Sequence, residues 1–286
     1  MPYPKFEYLK PESMDELTGM FAEYKEDASI IAGGSDLLPD LRARLIDPDY
    51  VIDAKGIDEM SELSYDEEEG LTIGATVPLK ELAESDIVKE RFKPLWSSVN
   101  QLADPVIRNR ATLTGNVCTS SPAGDSPPSL LVLDAEINAV SQSGERKIPI
   151  RDFFTGVKRN SLGADELVKS IHIPTPPDSA EGDYLKWTRT RGEDLSLVGV
   201  AALATDPKSG SLRIALSSIA PTPMYVPEAE GILKEEKTLN EKIGRAVQVV
   251  REKISPITDV RCSEDYRFYM AGVLTKRLLE KILEEK

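Results

Sequence analysis

The strongest constraint on this chain is the segment 31–39, in which an apolar strand runs into two glycines (IAGGSDLLP). Glycine has no Cβ, so the backbone can approach a ligand closely and can adopt positive φ. The successive N–H groups of positions 33–36 can then point at one oxyanion, and Ser35 adds a hydroxyl donor. The segment predicts either an anion-binding loop or a plain tight turn between a strand and a helix.

Two other phosphate-binding patterns fit this segment less well. Asp53 ends the next predicted strand 19 residues after Gly34, as in a Rossmann dinucleotide fold, but the G-x-G-x-x-G spacing is absent. No Gly-Lys-Ser/Thr follows the glycines, so a Walker A loop is excluded.

A second segment of similar character lies at 110–128 (RATLTGNVCTSSPAGDSPP). Its short hydroxyl side chains can reach phosphate or ribose without crowding it. Asp125, just before tandem prolines, is either a helix N-cap or an acceptor for ribose hydroxyls. Two loops of this kind suit a dinucleotide, whose diphosphate and two sugars need donors from more than one place.

Hydrophobic periodicity and turn residues predict a mixture of helices and strands. The predicted helices are 11–24 (with Ser13 and Glu16 as a capping box), 37–45, 78–85, 88–102, 127–134, 239–254 and 265–283. The predicted strands are 29–32, 50–53, 60–65, 71–75, 111–115, 136–141, 146–149, 168–174, 184–191, 197–205 and 212–219. The segment 174–182, rich in Pro, Asp and Ser, is the predicted linker.

Composition excludes several function classes. The net charge of −14 disfavours nucleic-acid and anionic-membrane partners. Two cysteines and one histidine are too few for an iron–sulfur cluster or a structural zinc site, and they leave little for histidine-based catalysis. Redox chemistry would therefore need a cofactor. No secretory signal or membrane span is expected, which predicts a cytoplasmic protein.

Three segments together make the chain resemble the FAD-binding medium subunit of the molybdenum hydroxylases, the family of carbon monoxide dehydrogenase, xanthine dehydrogenase and aldehyde oxidoreductase. They are 32–39 (AGGSDLLP), 112–125 (TLTGNVCTSSPAGD) and 166–174 (ELVKSIHIP). The similarity spans nearly the whole chain, and the segments follow the family's order and spacing. Thr114 departs from the pattern, because the family usually has glycine there and a β-branched residue disfavours positive φ.

The resemblance implies an α+β fold. It comprises a two-lobed FAD-binding domain of the vanillyl-alcohol-oxidase-like (PCMH) type at 1–176, with lobes at about 1–55 and 56–176. A C-terminal α+β flavoprotein domain with a small antiparallel sheet is expected at 177–286.

The resemblance also implies a set of FAD-binding residues and no catalytic or metal-binding residue on this chain. The first loop would wrap the diphosphate, the second would contact the diphosphate and the flavin side, and Asp125 would contact the adenosine ribose. Val168 would pack near the adenine, and Lys186 would lie near the flavin ring or, on the sequence alone, be a solvated strand lysine. The expected residues are Ala32, Gly33, Gly34, Ser35, Asp36, Leu37, Thr112, Gly115, Asn116, Thr119, Asp125, Val168 and Lys186.

The implied function is that of an oxidoreductase subunit which holds FAD non-covalently and relays electrons from iron–sulfur clusters to an external acceptor. Molybdopterin would reside on a large partner subunit and [2Fe–2S] clusters on a small one. Covalent attachment through His172 is not expected, whereas Cys118 lies inside the second loop and stays a candidate. The alternatives are a stand-alone flavin-dependent oxidoreductase of the same fold and a scaffold subunit without flavin.

Overall fold

The computed structural model describes residues 3–190, 194–208 and 210–284. The first lobe is a small α/β unit with a parallel sheet in the order β1-β3-β2. Its elements are β1 (Glu7–Leu9), α1 (Met14–Tyr24), β2 (Ala28–Ile31), α2 (Leu37–Ala43) and β3 (Tyr50–Asp53). The Ser13 hydroxyl caps α1 by accepting from the Glu16 amide, as predicted, but the Glu16 carboxylate accepts from Glu12 N and not from Ser13 N.

The second lobe places helices against an antiparallel sheet in the order β4-β5-β10-β6-β7. Its strands are β4 (Leu63–Asp66), β5 (Gly70–Gly74), β6 (Glu136–Ser141), β7 (Gly144–Pro149), the small pair β8 (Phe154–Gly156) and β9 (Arg159–Asn160), and β10 (Leu167–Ile173). Its helices are α3 (Leu79–Glu84), α4 (Asp86–Arg91), α5 (Lys93–Gln101), α6 (Pro105–Arg108), α7 (Leu113–Cys118), α8 (Ser126–Val132) and α9 (Ile150–Phe153).

The C-terminal part forms an antiparallel sheet in the order β11-β12-β13-β14, covered by two long helices. Its elements are β11 (Glu181–Trp187), β12 (Val198–Ala204), β13 (Leu212–Ser217), β14 (Met224–Tyr225), α10 (Leu239–Lys253) and α11 (Glu264–Glu284). Short 3₁₀ turns lie at Lys25–Asp27, Ala54–Gly56, Asp58–Met60, Pro227–Ala229 and Ile232–Lys234.

Strand β12 is buried along its whole length because both of its faces are covered. Ala201 and Leu203 point into the core that contains α5 and α8 of the second lobe. Val200 and Ala202 point into the core formed with α10 and α11. The C-terminal sheet is therefore the shared wall of two hydrophobic cores.

Two predicted elements are wrong. The strand predicted at 111–115 is the start of helix α7, because the Thr112 hydroxyl accepts from the Gly115 amide and turns the chain into a helix. An isolated bridge between Thr112 and Pro78 is the strand-like pairing found there. The helix predicted at 88–102 is divided at Phe92, because Pro94 can begin a helix but cannot continue one.

The mixed fold class is confirmed, and the other predicted elements are present with ends displaced by a few residues. The connection between β10 and β11 runs through the predicted linker. Arg191, the last residue of the strand predicted at 184–191, lies outside the described residues, and β11 ends at Trp187.

Helix α11 is anchored to the sheet by a buried arginine. The Arg267 side chain is 1% exposed, and its guanidinium donates to the carbonyls of Leu197 and Ser218 and to the Asp259 carboxylate. Partial burial raises the pKa of the Asp259 carboxyl, but Arg261 and Arg267 outweigh this effect and hold that pKa well below its usual range.

We expect Asp259→Asn to lower the free energy of unfolding by roughly 3 to 5 kcal/mol at pH 7, because it leaves the buried Arg267 charge without its counter-ion. The native pKa of Asp259 is depressed, so the stabilisation is complete above about pH 4 and is lost as the pH falls. Urea denaturation at pH 7 and pH 3 measures this, and the two proteins should differ less at pH 3. Asp178→Asn, which removes an exposed partner of Arg91, is the control and should change stability little. An equal effect of both substitutions would contradict this role.

Candidate cofactor site

The two glycine-containing loops touch each other through their backbones. A Cβ added to Gly33 would lie 2.1 Å from the carbonyl oxygen of Arg110, so no side chain fits between the loops at this point. Gly34 has φ of +76°, a conformation that L-residues rarely adopt. The glycine pair is therefore required both by loop contact and by the turn from β2 into α2.

The first loop leaves main-chain donors available. Within the described residues, no protein acceptor is paired with the amides of Gly34, Ser35 or Asp36. The Asp36 carboxylate accepts a hydrogen bond of 2.7 Å from the Thr119 hydroxyl at the end of α7. This bond ties the first loop to the second and leaves those amides free for a ligand.

The second loop passes through α7, and its departure from the family pattern is accommodated there. Thr114 is helical and so needs no positive φ. Among the described residues its buried hydroxyl has no hydrogen-bond partner, and Thr114 lines the first cavity beside Gly115. A buried polar atom without a partner is costly, which favours a polar ligand next to it.

Two adjoining cavities follow the loops. The first, of about 380 Å³, is mainly apolar; its lining includes Phe21, Ile30, Met60, Cys118, Leu162, Leu167 and Val168. The second, of about 430 Å³, contains ionised groups; its lining includes Ala103, Ile107, Asn116, Asp125, Lys158, Lys186 and Leu195. Both are lined by Ser35, Asp36, Asp40, Thr112 and Thr119. Their sizes fall within the range of small-molecule sites.

All thirteen predicted residues line one or both cavities. Ala32, Gly33, Gly34, Leu37, Gly115 and Val168 line the first. Asn116, Asp125 and Lys186 line the second. Ser35, Asp36, Thr112 and Thr119 line both.

Asp125 and Lys186, which were assigned separate roles, form one buried ion pair. The Lys186 ammonium lies 2.8 Å from the Asp125 carboxylate, and the two side chains are 5% and 8% exposed. Burial raises the pKa of Asp125, and the Lys186 charge opposes that rise. The side chain of Asp125 also makes no cap hydrogen bond to α8.

Sequence reasoning missed three contributors to this region. Tyr184 donates to Asp125, and the carbonyl of Gln101 accepts from Lys186. The alternation of β11, which puts Tyr184 and Lys186 on one face, is the signal that would have found the tyrosine. Arg108, which lies close to the second loop in sequence, donates to the carbonyls of Asn100, Leu102 and Ala103.

Comparison with known proteins places this geometry in a family. The model of the FAD-binding domain in molybdopterin dehydrogenase matches residues 4–176. The chain belongs to this family. The model of the CO dehydrogenase flavoprotein C-terminal domain matches residues 183–282.

Full-length relatives agree with this assignment. The carbon monoxide dehydrogenase medium chain of Hydrogenophaga pseudoflava is 31% identical over 282 residues, covering 96% of each chain. The xanthine dehydrogenase FAD-binding subunit of Escherichia coli O157:H7 is 27% identical over 277 residues, covering 96% of this chain and 94% of the relative. A structure of the Hydrogenophaga pseudoflava carbon monoxide dehydrogenase that lacks the Mo-pyranopterin moiety matches with a TM-score of 0.94 and 29% identity, covering 99% of both chains.

These comparisons confirm the predicted family, the fold class, the oxidoreductase class and FAD as the family's cofactor. Free amides and two adjoining cavities at the contact between two glycine-containing loops fit a dinucleotide of this kind. Among residues 3–190, 194–208 and 210–284, no helix is long and apolar enough to cross a membrane.

The two residues considered for covalent attachment differ in position. His172 lies on β10, beside Thr72, and does not line either cavity. Cys118 lines the first cavity, but burial raises the pKa of its thiol to about 12. The reactive thiolate is therefore nearly absent at neutral pH.

We expect the Cys118→Ser variant to bind FAD as the unmodified chain does, because the thiol at this position is not an attachment point. After acid precipitation of either protein, the flavin should stay in the supernatant, where its absorbance is measured. Flavin that precipitates with the unmodified chain but not with the variant would show a covalent bond to Cys118.

Proposed function

We propose that this chain binds one FAD non-covalently across both cavities and relays electrons to an external acceptor within a molybdenum hydroxylase complex. The observation that carries the proposal is the contact between the loops at Gly33, which places free amides between an apolar cavity and a charged one. An anionic diphosphate suits those amides.

The two cavities suit the two ends of the cofactor. The adenine fits the first, beside Val168 and Leu167, because a flat ring system gains most from an apolar wall. The flavin end fits the second, where Lys186 supplies a positive charge. Asp125 then belongs to the flavin end as the partner of Lys186 and no longer to the adenosine ribose.

Bound FAD supplies the electron-carrying chemistry that side chains alone lack. The chain contributes the amides that hold the diphosphate, the apolar walls that exclude water, and a fixed cation. The proposed partners are a large molybdopterin-binding subunit and a small [2Fe–2S] subunit, in the cytoplasm. The relatives support this, since one is a medium chain and another an FAD-binding subunit. The acceptor is NAD, a quinone or another oxidant.

We expect Gly115→Val to weaken FAD binding at least tenfold, because Gly115 lines the first cavity and the added side chain crowds the Thr112 hydroxyl, 3.1 Å from the new Cβ. The matched control is Gly244→Val, a helical glycine with no atom within 4 Å of the added Cβ. Gly34→Ala and Gly144→Ala form a second pair, since both glycines have positive φ and Gly144 is the exposed first residue of β7.

Titration of each apoprotein with FAD, followed by flavin fluorescence, gives the dissociation constants, and circular dichroism checks that the variants fold. The unmodified chain should be yellow when loaded. Failure of the folded unmodified chain to take up FAD would favour the flavin-free scaffold and contradict the proposal.

We expect the native complex, purified through a tag on this chain, to contain one larger and one smaller subunit. After reduction with dithionite, its iron–sulfur clusters should be reoxidised by NAD or a soluble quinone, as followed in the visible spectrum. The complex that carries Gly115→Val should lose most of this reoxidation, whereas Gly244→Val should keep it. A chain that purifies alone with FAD would favour the stand-alone oxidoreductase.

A further inference from the structure

A buried tyrosine lies behind the wall of the second cavity. Tyr184 is 1% exposed and does not line the cavity itself. Its hydroxyl donates to one Asp125 oxygen at 2.8 Å, and the other Asp125 oxygen accepts from Lys186 at 2.8 Å. The three side chains thus form a chain that leads from the protein interior to the cavity surface.

The fold places these groups with little freedom. Tyr184 and Lys186 are two residues apart on β11 and share one face. The strand is held against α5 because Gln101 donates to the Tyr184 carbonyl and accepts from the Lys186 ammonium. Gly199 lies on β12, opposite Lys186 of β11, and makes room for Tyr184. A Cβ added to Gly199 would lie 2.5 Å from the Tyr184 hydroxyl.

The Lys186 ammonium has a proton available for an occupant of the second cavity. The Lys186 ammonium has three protons, of which Asp125 and the Gln101 carbonyl accept two. Because Lys186 lines the second cavity, the third proton is available to an occupant there. Without the tyrosine hydroxyl, the Asp125 oxygen that faces it would lose its donor, and the carboxylate would be free to rotate away from Lys186.

We propose that Tyr184 is a positioning residue that acts through Asp125 to fix the Lys186 ammonium beside the flavin end of bound FAD. This inference rests on the proposed function, and it concerns a residue that does not touch the cofactor. A fixed cation favours the redox state of an occupant that carries more negative charge. Tyr184 therefore influences the redox potential without lining the site.

The test is Tyr184→Phe in the full-length, FAD-loaded chain. The ratio of the affinity for reduced FAD to the affinity for oxidised FAD should be about tenfold lower in the variant than in the unmodified chain. For a two-electron couple this is a fall of about 30 mV in midpoint potential, measured by equilibration with a reference dye. Tyr225→Phe is the matched control, because that hydroxyl bonds Glu230 and its residue lines neither cavity.

A double-mutant comparison separates positioning from a merely structural role. In a Lys186→Met background, Tyr184→Phe should no longer shift the potential, because the group it positions is gone. If Tyr184→Phe fails to fold, Gly199→Ala displaces the same hydroxyl and should shift the potential in the same direction.

An unchanged potential in the folded Tyr184→Phe chain, or an equal shift in both backgrounds, would overturn the inference and leave FAD binding intact. An unmodified chain that binds no FAD would overturn the proposed function, and this inference with it.

Discussion

The backbone contact between Gly33 and the Arg110 carbonyl sets the geometry on which the site depends. Any side chain at position 33 would overlap the second loop, so the two loops can meet only if this residue is glycine. Their contact brings the start of α2 to the end of α7 and allows the Asp36–Thr119 hydrogen bond to form. The two cavities adjoin because the residues at this junction form part of both walls.

The chain carries a net charge of −14, yet the proposed ligand is itself an anion. The structure resolves this conflict locally. Gly34, Ser35 and Asp36, whose amides have no protein acceptor among the described residues, line the cavities, and Lys158 and Lys186 line the second one. Because main-chain dipoles act over short distances, the acidic outer surface does not prevent them from holding a diphosphate.

Much of the fold could be predicted because glycine pairs, hydroxyl residues and hydrophobic alternation are visible in the sequence. The thirteen candidate site residues were implied by the resemblance to the family, and all of them line the cavities. Thr112 and Thr114 are β-branched and alternate with Leu113, a pattern that favours a strand, although Leu113–Cys118 is a helix. The helical conformation depends on one hydrogen bond, which the Gly115 amide donates to the Thr112 hydroxyl.

The pairing of Asp125 with Lys186 could not be predicted for a different reason. The residues are 61 positions apart and come together only when β11 docks against α5 and the start of α8. The alternation of β11 places Tyr184 on the face of Lys186, but nothing local shows that its hydroxyl bonds the Asp125 carboxylate. Contacts of this kind are products of tertiary packing.

The burial of both faces of β12 affects how a cofactor could enter the site. Separating the C-terminal sheet from α5 and α8 would expose Ala201 and Leu203 to water while the opposite face stayed covered by its own helices. A hinge that swings this sheet outwards is therefore unfavourable. Exchange of a bound nucleotide would instead proceed through small movements at the cavity mouths.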